Sequence, residues 1–115
     1  MYLLQYCVSE KIEDEKEALD WNNKGNSLFQ LGKYEESIVC YDKATRIDSQ
    51  NHHTWNNKGS ALSGLGRYEE SIVCVDKAIR LDPKNPDAWH NKGASLKKLG
   101  RVEEAEQCFA KVKEL

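Results

Sequence analysis

The stretch WNNKG occupies residues 21–25, returns at 55–59, and returns again as WHNKG at 89–93, a step of 34 residues. The rest of the chain keeps that step. Gly25, Gly59 and Gly93 match, as do Leu28, Leu62 and Leu96, then Gly32, Gly66 and Gly100. Glu35, Glu69 and Glu103 follow, and Cys40, Cys74 and Cys108 close the series. About two thirds of the positions from Trp21 to Asn51 are identical one period on. A period of this size marks a repeat architecture, in which each unit completes its core against its neighbours.

Each unit reads as two helices. The first runs from about Ala18 to Leu31, with Trp21, Gly25, Leu28 and Leu31 spaced three or four apart on one stripe. Gly32 closes it, because glycine accepts the left-handed conformation past a helix end. Lys33 then leads into YEESIVCYDKATRI, whose Tyr34, Ser37, Ile38, Tyr41, Ala44 and Ile47 form a buried stripe. Glu35 and Glu36 complement the positive end of that helix dipole. Pro83 ends the second unit outright. Small residues mark where helices meet: Gly25 with Ser37, Gly59 with Ser71, and Gly93 with Ala105.

This pattern, W-x-N-x-G-x-x-L-x-x-L-G-x-Y and onward, resembles the tetratricopeptide repeat (TPR) family. The resemblance covers residues 18–115 as three tandem repeats, 18–51, 52–85 and 86–115. It implies an all-α fold: a right-handed superhelical solenoid of antiparallel helix pairs, six helices in all. It also implies that the first helix of each pair lines a concave groove. Ser37 and Ser71 depart from the family's usual Ala, and Val102 from its Tyr. Lys24, Lys58 and Lys92 replace a common Leu, and each is expected to lay its stem on the core and lift its ammonium to water.

The two ends differ from the repeats. Where the first two units carry Ile38–Val39 and Ile72–Val73, the third has Glu106–Gln107, and Lys113 stands where the second has Ile79. Val102–Leu115 therefore reads as an end cap with a hydrophilic outer face. Residues 1–17 fall outside the 34-residue register. Tyr2, Leu3, Leu4, Tyr6, Cys7, Val8 and Ile12 make them apolar enough for an added helix that covers the first repeat or engages a second copy of the chain.

Composition excludes several functions. With 115 residues and a net charge of −2, there is no global basic field for nucleic acid. No apolar run approaches the roughly 18 residues needed to span a membrane. MYLLQYCV lacks the basic start of a secretion signal, so the chain is expected to be cytoplasmic with reduced cysteines. No C-x-x-C or H-x-x-x-H spacing offers a metal site. Repeat translation holds equivalent thiols on the order of 10 Å apart, too far for a disulfide. His52 and His53 are adjacent and diverge, and no nucleophile sits in a strand–turn–helix elbow. The chain is expected to be no enzyme and to hold no cofactor.

Peptide binding is the chemistry that remains. Positions that line the groove in the family correspond here to Asn22, Asn23, Asn26 and Phe29, with Leu19 and Gln30 beside them. The second unit supplies His53, Asn56, Asn57, Ser60 and Ser63, and the third supplies Asp87, His90, Asn91, Lys97 and Lys98. Asn23, Asn57 and Asn91 form a ladder one repeat apart. A carboxamide both donates and accepts, so it can pair with an extended peptide backbone, or equally with a neighbouring helix. Relatives that clamp a chaperone's C-terminal carboxylate use Lys and Asn, then Asn, then Lys and Arg. Asn26 and Asn57 fit that set, whereas the three cationic places hold Asn22, Asp87 and Asn91. The expected function is a non-catalytic scaffold that binds an extended segment of a partner protein, acidic where it nears Lys97 and Lys98. Self-association through residues 1–17 or the groove is the alternative.

Overall fold

The computed structural model describes residues 2–115, with side chains from Lys11 onward. It contains six helices: α1 (Tyr2–Gln30), α2 (Tyr34–Ile47), α3 (His52–Gly64), α4 (Tyr68–Leu81), α5 (Pro86–Lys98) and α6 (Val102–Glu114). Consecutive helices pack in pairs, α1 on α2, α3 on α4 and α5 on α6. The pairs then stack through α2 on α3 and α4 on α5, while α1, α3 and α5 meet along one side.

The corners within pairs repeat one device. Gly32, Gly66 and Gly100 carry φ of 76°, 77° and 81°, a conformation that costs an L-residue about 1–2 kcal/mol. At each corner the next amide reaches back to the helix: Lys33 N–H to Leu28, Arg67 to Leu62 and Arg101 to Leu96, all at 2.9 Å. This backbone pattern satisfies carbonyls that the helix end leaves open. Arg67 and Arg101 then bind Glu70 and Glu104 through two nitrogens each.

The corners between pairs use side chains. Asp48 accepts from Gln50 N–H and Asp82 from Lys84 N–H, which curls the loops DSQN and DPKN. Asn51 and Asn85 then cap α3 and α5 by accepting from His53 and Asp87 N–H, a cap typically worth about 1 kcal/mol. Trp55 Nε1 donates to the Ser49 carbonyl at 2.9 Å and Trp89 Nε1 to the Pro83 carbonyl at 2.7 Å, pinning each loop to the helix that follows.

The chain does not break at residue 17. Residues 2–17 continue α1, so this segment extends the first helix along its own axis and does not fold back over the first repeat. The side chains of Tyr2, Leu3, Leu4, Tyr6, Cys7 and Val8 lie outside the described residues. Residues 11–17 are all exposed, and the first buried side chain among the described residues is Ala18.

Close contact at glycine sets how tightly each pair packs. A Cβ on Gly25 would lie 2.6 Å from the Tyr41 ring, and one on Gly93 would lie 2.6 Å from Phe109. At these two glycines the nearest atoms belong to an aromatic ring of the partner helix, four residues beyond the small residues read from the sequence, Ser37 and Ala105. Gly59 does meet Ser71, whose hydroxyl donates to the Gly59 carbonyl at 2.7 Å, and Val75 closes over it. Ser71 also contacts Ser95 Oγ at 3.2 Å, so a serine in place of alanine joins two repeats.

Lys58 and Lys92 do not lift their ammonium groups into water. Lys58 Nζ lies 2.6 Å from Asp42 Oδ1, and Lys92 Nζ lies 2.8 Å from Asp76 Oδ1, each pair bridging one repeat to the next. Leu31 is also displaced from the expected stripe. It is 71% exposed, because no repeat precedes it among the described residues.

Gly59→Ala would place a methyl 2.5 Å from Val75 Cγ2 and 3.2 Å from the Ser71 carbonyl. Urea unfolding should show a loss of about 1–3 kcal/mol. The loss should be smaller in a Val75→Ala background, where a double-mutant cycle reads the coupling.

Candidate functional site

The helices that open each pair place their amides toward one another. Asn57 on α3 donates from Nδ2 to Asn26 Oδ1 at 3.1 Å and to Asn22 Oδ1 at 3.3 Å, both on α1. One repeat on, Asn91 on α5 donates to Asn56 Oδ1 at 2.9 Å and to Ser60 Oγ at 3.1 Å, both on α3. Two equivalent rungs therefore join α1 to α3 and α3 to α5. Asn22 and Asn56 are buried, at 6% and 7% exposure, and buried amides are held by such partners. Of the two amides in the first WNNKG stretch, only Asn23 is exposed to solvent.

Between the first rung and the groove lies a recess of about 270 Å³ lined by Asn26, Phe29, Gln30, Tyr41, Asn57 and Ser60. Five of these six stand at positions assigned to the groove from sequence. Tyr41 was assigned to the core, and its ring is indeed buried at 1% exposure. Its hydroxyl nevertheless donates to Asn26 Oδ1 at 2.6 Å. The signal that could have found it is its variation: the same register position holds Val75 and Phe109 in the other units.

The hydrogen bonds fix what the recess offers. Asn26 Oδ1 accepts from both Tyr41 and Asn57, which turns the Asn26 NH₂ away from them as a donor. Asn57 spends its NH₂ on α1, leaving its carbonyl oxygen as an acceptor. Ser60 is occupied on both sides, donating to the Asn56 carbonyl and accepting from Asn91. Phe29 supplies an apolar wall and is tilted against Tyr34 with centroids 5.2 Å apart. Donor, acceptor and apolar wall together match a peptide group and one side chain.

The remaining sequence-assigned residues lie apart from this recess. His53 is exposed and stacks on His52 at 4.0 Å, and His90 is exposed beside Phe109 at 5.5 Å. Lys97 and Lys98 are exposed in the last turn of α5. Among the described residues, no three His, Cys, Asp or Glu side chains converge as metal ligands, and no helix is long and apolar enough to cross a membrane. Burial raises the thiol pKa of Cys74 and Cys108 above the ordinary range.

With this geometry, the comparisons with known proteins agree. The sequence pattern described as a TPR repeat matches residues 25–66 and 59–100, and a second described as a tetratricopeptide repeat matches 86–115. The chain belongs to the tetratricopeptide repeat family. Among solved structures, the TPR chain is similar to the second TPR of Spaghetti (RPAP3), bound to the HSP90 peptide SRMEEVD. That match is 31% identical, covers 90% of this chain and 95% of that one, and has a TM-score of 0.86. It is also similar to the second TPR domain of human RPAP3 in complex with the HSP70 peptide SGPTIEEVD, at 31% identity and TM-score 0.83 over 86% and 82% of the two chains. The Arabidopsis OM64 TPR domain, 21% identical, shares the fold at TM-score 0.85 over 86% of this chain and 82% of that one. No curated protein matches the chain. The TPR chain is a non-catalytic scaffold for protein interaction.

Burial, and secondarily the nearby Cys40, pushes the Tyr41 phenol from 10.0 up to about 12. The unfolded chain loses that proton first, so folding stability should fall as pH rises through this window, by up to about 3 kcal/mol. Urea midpoints followed across this window should fall less steeply for Tyr41→Phe. At neutral pH the same variant should lose about 1 kcal/mol with its hydrogen bond to Asn26.

Proposed function

We propose that the concave groove holds an extended internal segment of a partner protein, reading its backbone by amides and seating one side chain in the Tyr41 recess. The observation that carries this reading is the fixed pairing of an outward donor on Asn26 with an outward acceptor on Asn57. A recess of about 270 Å³ accommodates a side chain and not a whole ligand, so the remainder of the segment lies along α1, α3 and α5. Two structural relatives at 31% identity are in complex with HSP90 and HSP70 peptides, which supports a peptide ligand.

The mode of anchoring differs from a carboxylate clamp. Asn26 and Asn57 are present, but the cationic places hold Asn22, Asp87 and Asn91. Asn22 and Asn91 are committed to the rungs, and Asp87 is exposed on the first turn of α5. A terminal carboxylate here would give up water without a charged partner, while Asp87 would repel it. Lys97 and Lys98 offer positive charge at the far end of α5, where an acidic residue of the segment would lie.

The peptide SRMEEVD tests the anchoring directly. Fluorescence anisotropy should show no saturation with the wild-type chain at concentrations that saturate the second TPR of Spaghetti. Asn22→Lys, Asp87→Lys and Asn91→Arg together should gain at least about tenfold in affinity, equivalent to 1.4 kcal/mol. Tight wild-type binding would overturn the carboxylate-free reading. For the groove itself, a displayed random peptide library should yield ligands that Gln30→Glu and the reversed pair Lys97→Glu, Lys98→Glu each bind several-fold less well. Unchanged capture by both variants would place the ligand elsewhere.

A further inference from the structure

One interface occurs twice in this molecule, and its third copy has no occupant among the described residues. In the second repeat, Leu62 is 2% exposed and Lys58 meets Asp42, because α2 covers that face of α3. In the third, Leu96 is 1% exposed and Lys92 meets Asp76, because α4 covers that face of α5. The covering helix supplies the same two side chains each time. Ile38 packs in the cluster that holds Leu62, with Asp42 one turn later, and Ile72 packs on the cluster that holds Leu96, with Asp76 one turn later.

The first repeat presents the same face with no packing partner among the described residues. Among these, packing contacts of α1 are confined to α2 and α3. Leu28 is only partly buried, Leu31 is 71% exposed, and Lys24 is exposed. Lys24 and Lys43 lie over the Trp21 ring, at 5.2 and 4.3 Å from its centroid. Two ammonium groups therefore border the apolar strip, with Glu17 and Asp20 at its N-terminal rim. Exposed apolar surface beside unpaired charge marks an interaction site when a complementary partner can be specified.

We propose that Trp21, Lys24, Leu28 and Leu31 form a second docking surface, separate from the groove. Its occupant is a helix of another protein that carries an aliphatic residue and, one turn later, an aspartate or glutamate. The aliphatic side chain covers Leu28 as Ile38 covers Leu62, and the carboxylate meets Lys24 as Asp42 meets Lys58. Stacking of a second copy through its last repeat does not fit this face. Its outer helix α6 carries Glu106 and Ala110 at those two positions and Lys113 nearby. It would set a carboxylate against Leu28 and a methyl against Lys24. This inference stands independently of what the groove binds.

The protein can be made into its own probe. Glu106→Ile, Ala110→Asp and Lys113→Thr, all at exposed positions, give α6 the character of α2. Lys24→Glu in the same chain disables that chain's own α1 face, so the probe does not stack on itself. Mixed with wild type, it should form a 1:1 complex by analytical ultracentrifugation. The complex should weaken at least about tenfold when the wild-type partner carries Lys24→Glu. A probe that is folded by circular dichroism yet forms no complex, or that binds both partners equally, would overturn the proposal. Should the probe not fold, a peptide copying residues 67–82 titrated into isotope-labelled wild type should shift the Trp21 indole signal and leave that of Trp89. The absence of any Trp21 shift at millimolar peptide would count against the surface.

Discussion

Each opening helix after the first is tied to the one before it by the amide of a single asparagine. Asn57 reaches Asn22 and Asn26, and Asn91 reaches Asn56 and Ser60. These bonds run between the helices that form the groove floor, so they fix both the spacing of those helices and the way neighbouring amides point. The ion pairs Lys58–Asp42 and Lys92–Asp76 tie α3 and α5 to α2 and α4. Their side chains are partly exposed, and such pairs contribute only about 0–1 kcal/mol each. The amides of Asn22 and Asn56 are buried and set register more strictly, because an amide removed from both water and its partner costs about 1–3 kcal/mol.

This arrangement makes structure and recognition share the same atoms. Asn26 fastens α1 to α3 and Tyr41 through its oxygen, and faces the recess with its nitrogen. A substitution there would change what the groove can bind and how the repeats sit on one another. Residues such as Gln30 lie at the rim with no such second task, and through them the surface can be altered without moving the scaffold.

Much of the fold was legible because it is written three times. The glycine corners, the pairing of helices and the stripe of Leu62 and Leu96 followed from the 34-residue step and ordinary helix periodicity. The amide rungs were harder to read. A carboxamide facing sideways from a helix serves a ligand or a neighbour equally well, and only the position of the adjacent helix decides. The acceptors of Asn57 lie 35 and 31 residues before it, which a register of identical positions does not reveal. Leu31 shows the opposite difficulty. Its sequence environment matches that of Leu65, yet its burial depends on a preceding unit, which is a property of the stack and not of the residue. Tyr41 was hidden by having two characters, a ring that belongs to the core and a hydroxyl that belongs to the site.

The indole bonds of Trp55 and Trp89 end on main-chain oxygens, one belonging to serine and the other to proline. Every residue type carries that carbonyl, so the anchor is indifferent to the side chain at residues 49 and 83. The loops between repeats can therefore drift in sequence while the tryptophan holds their path. Constancy at one position permits variation six residues away.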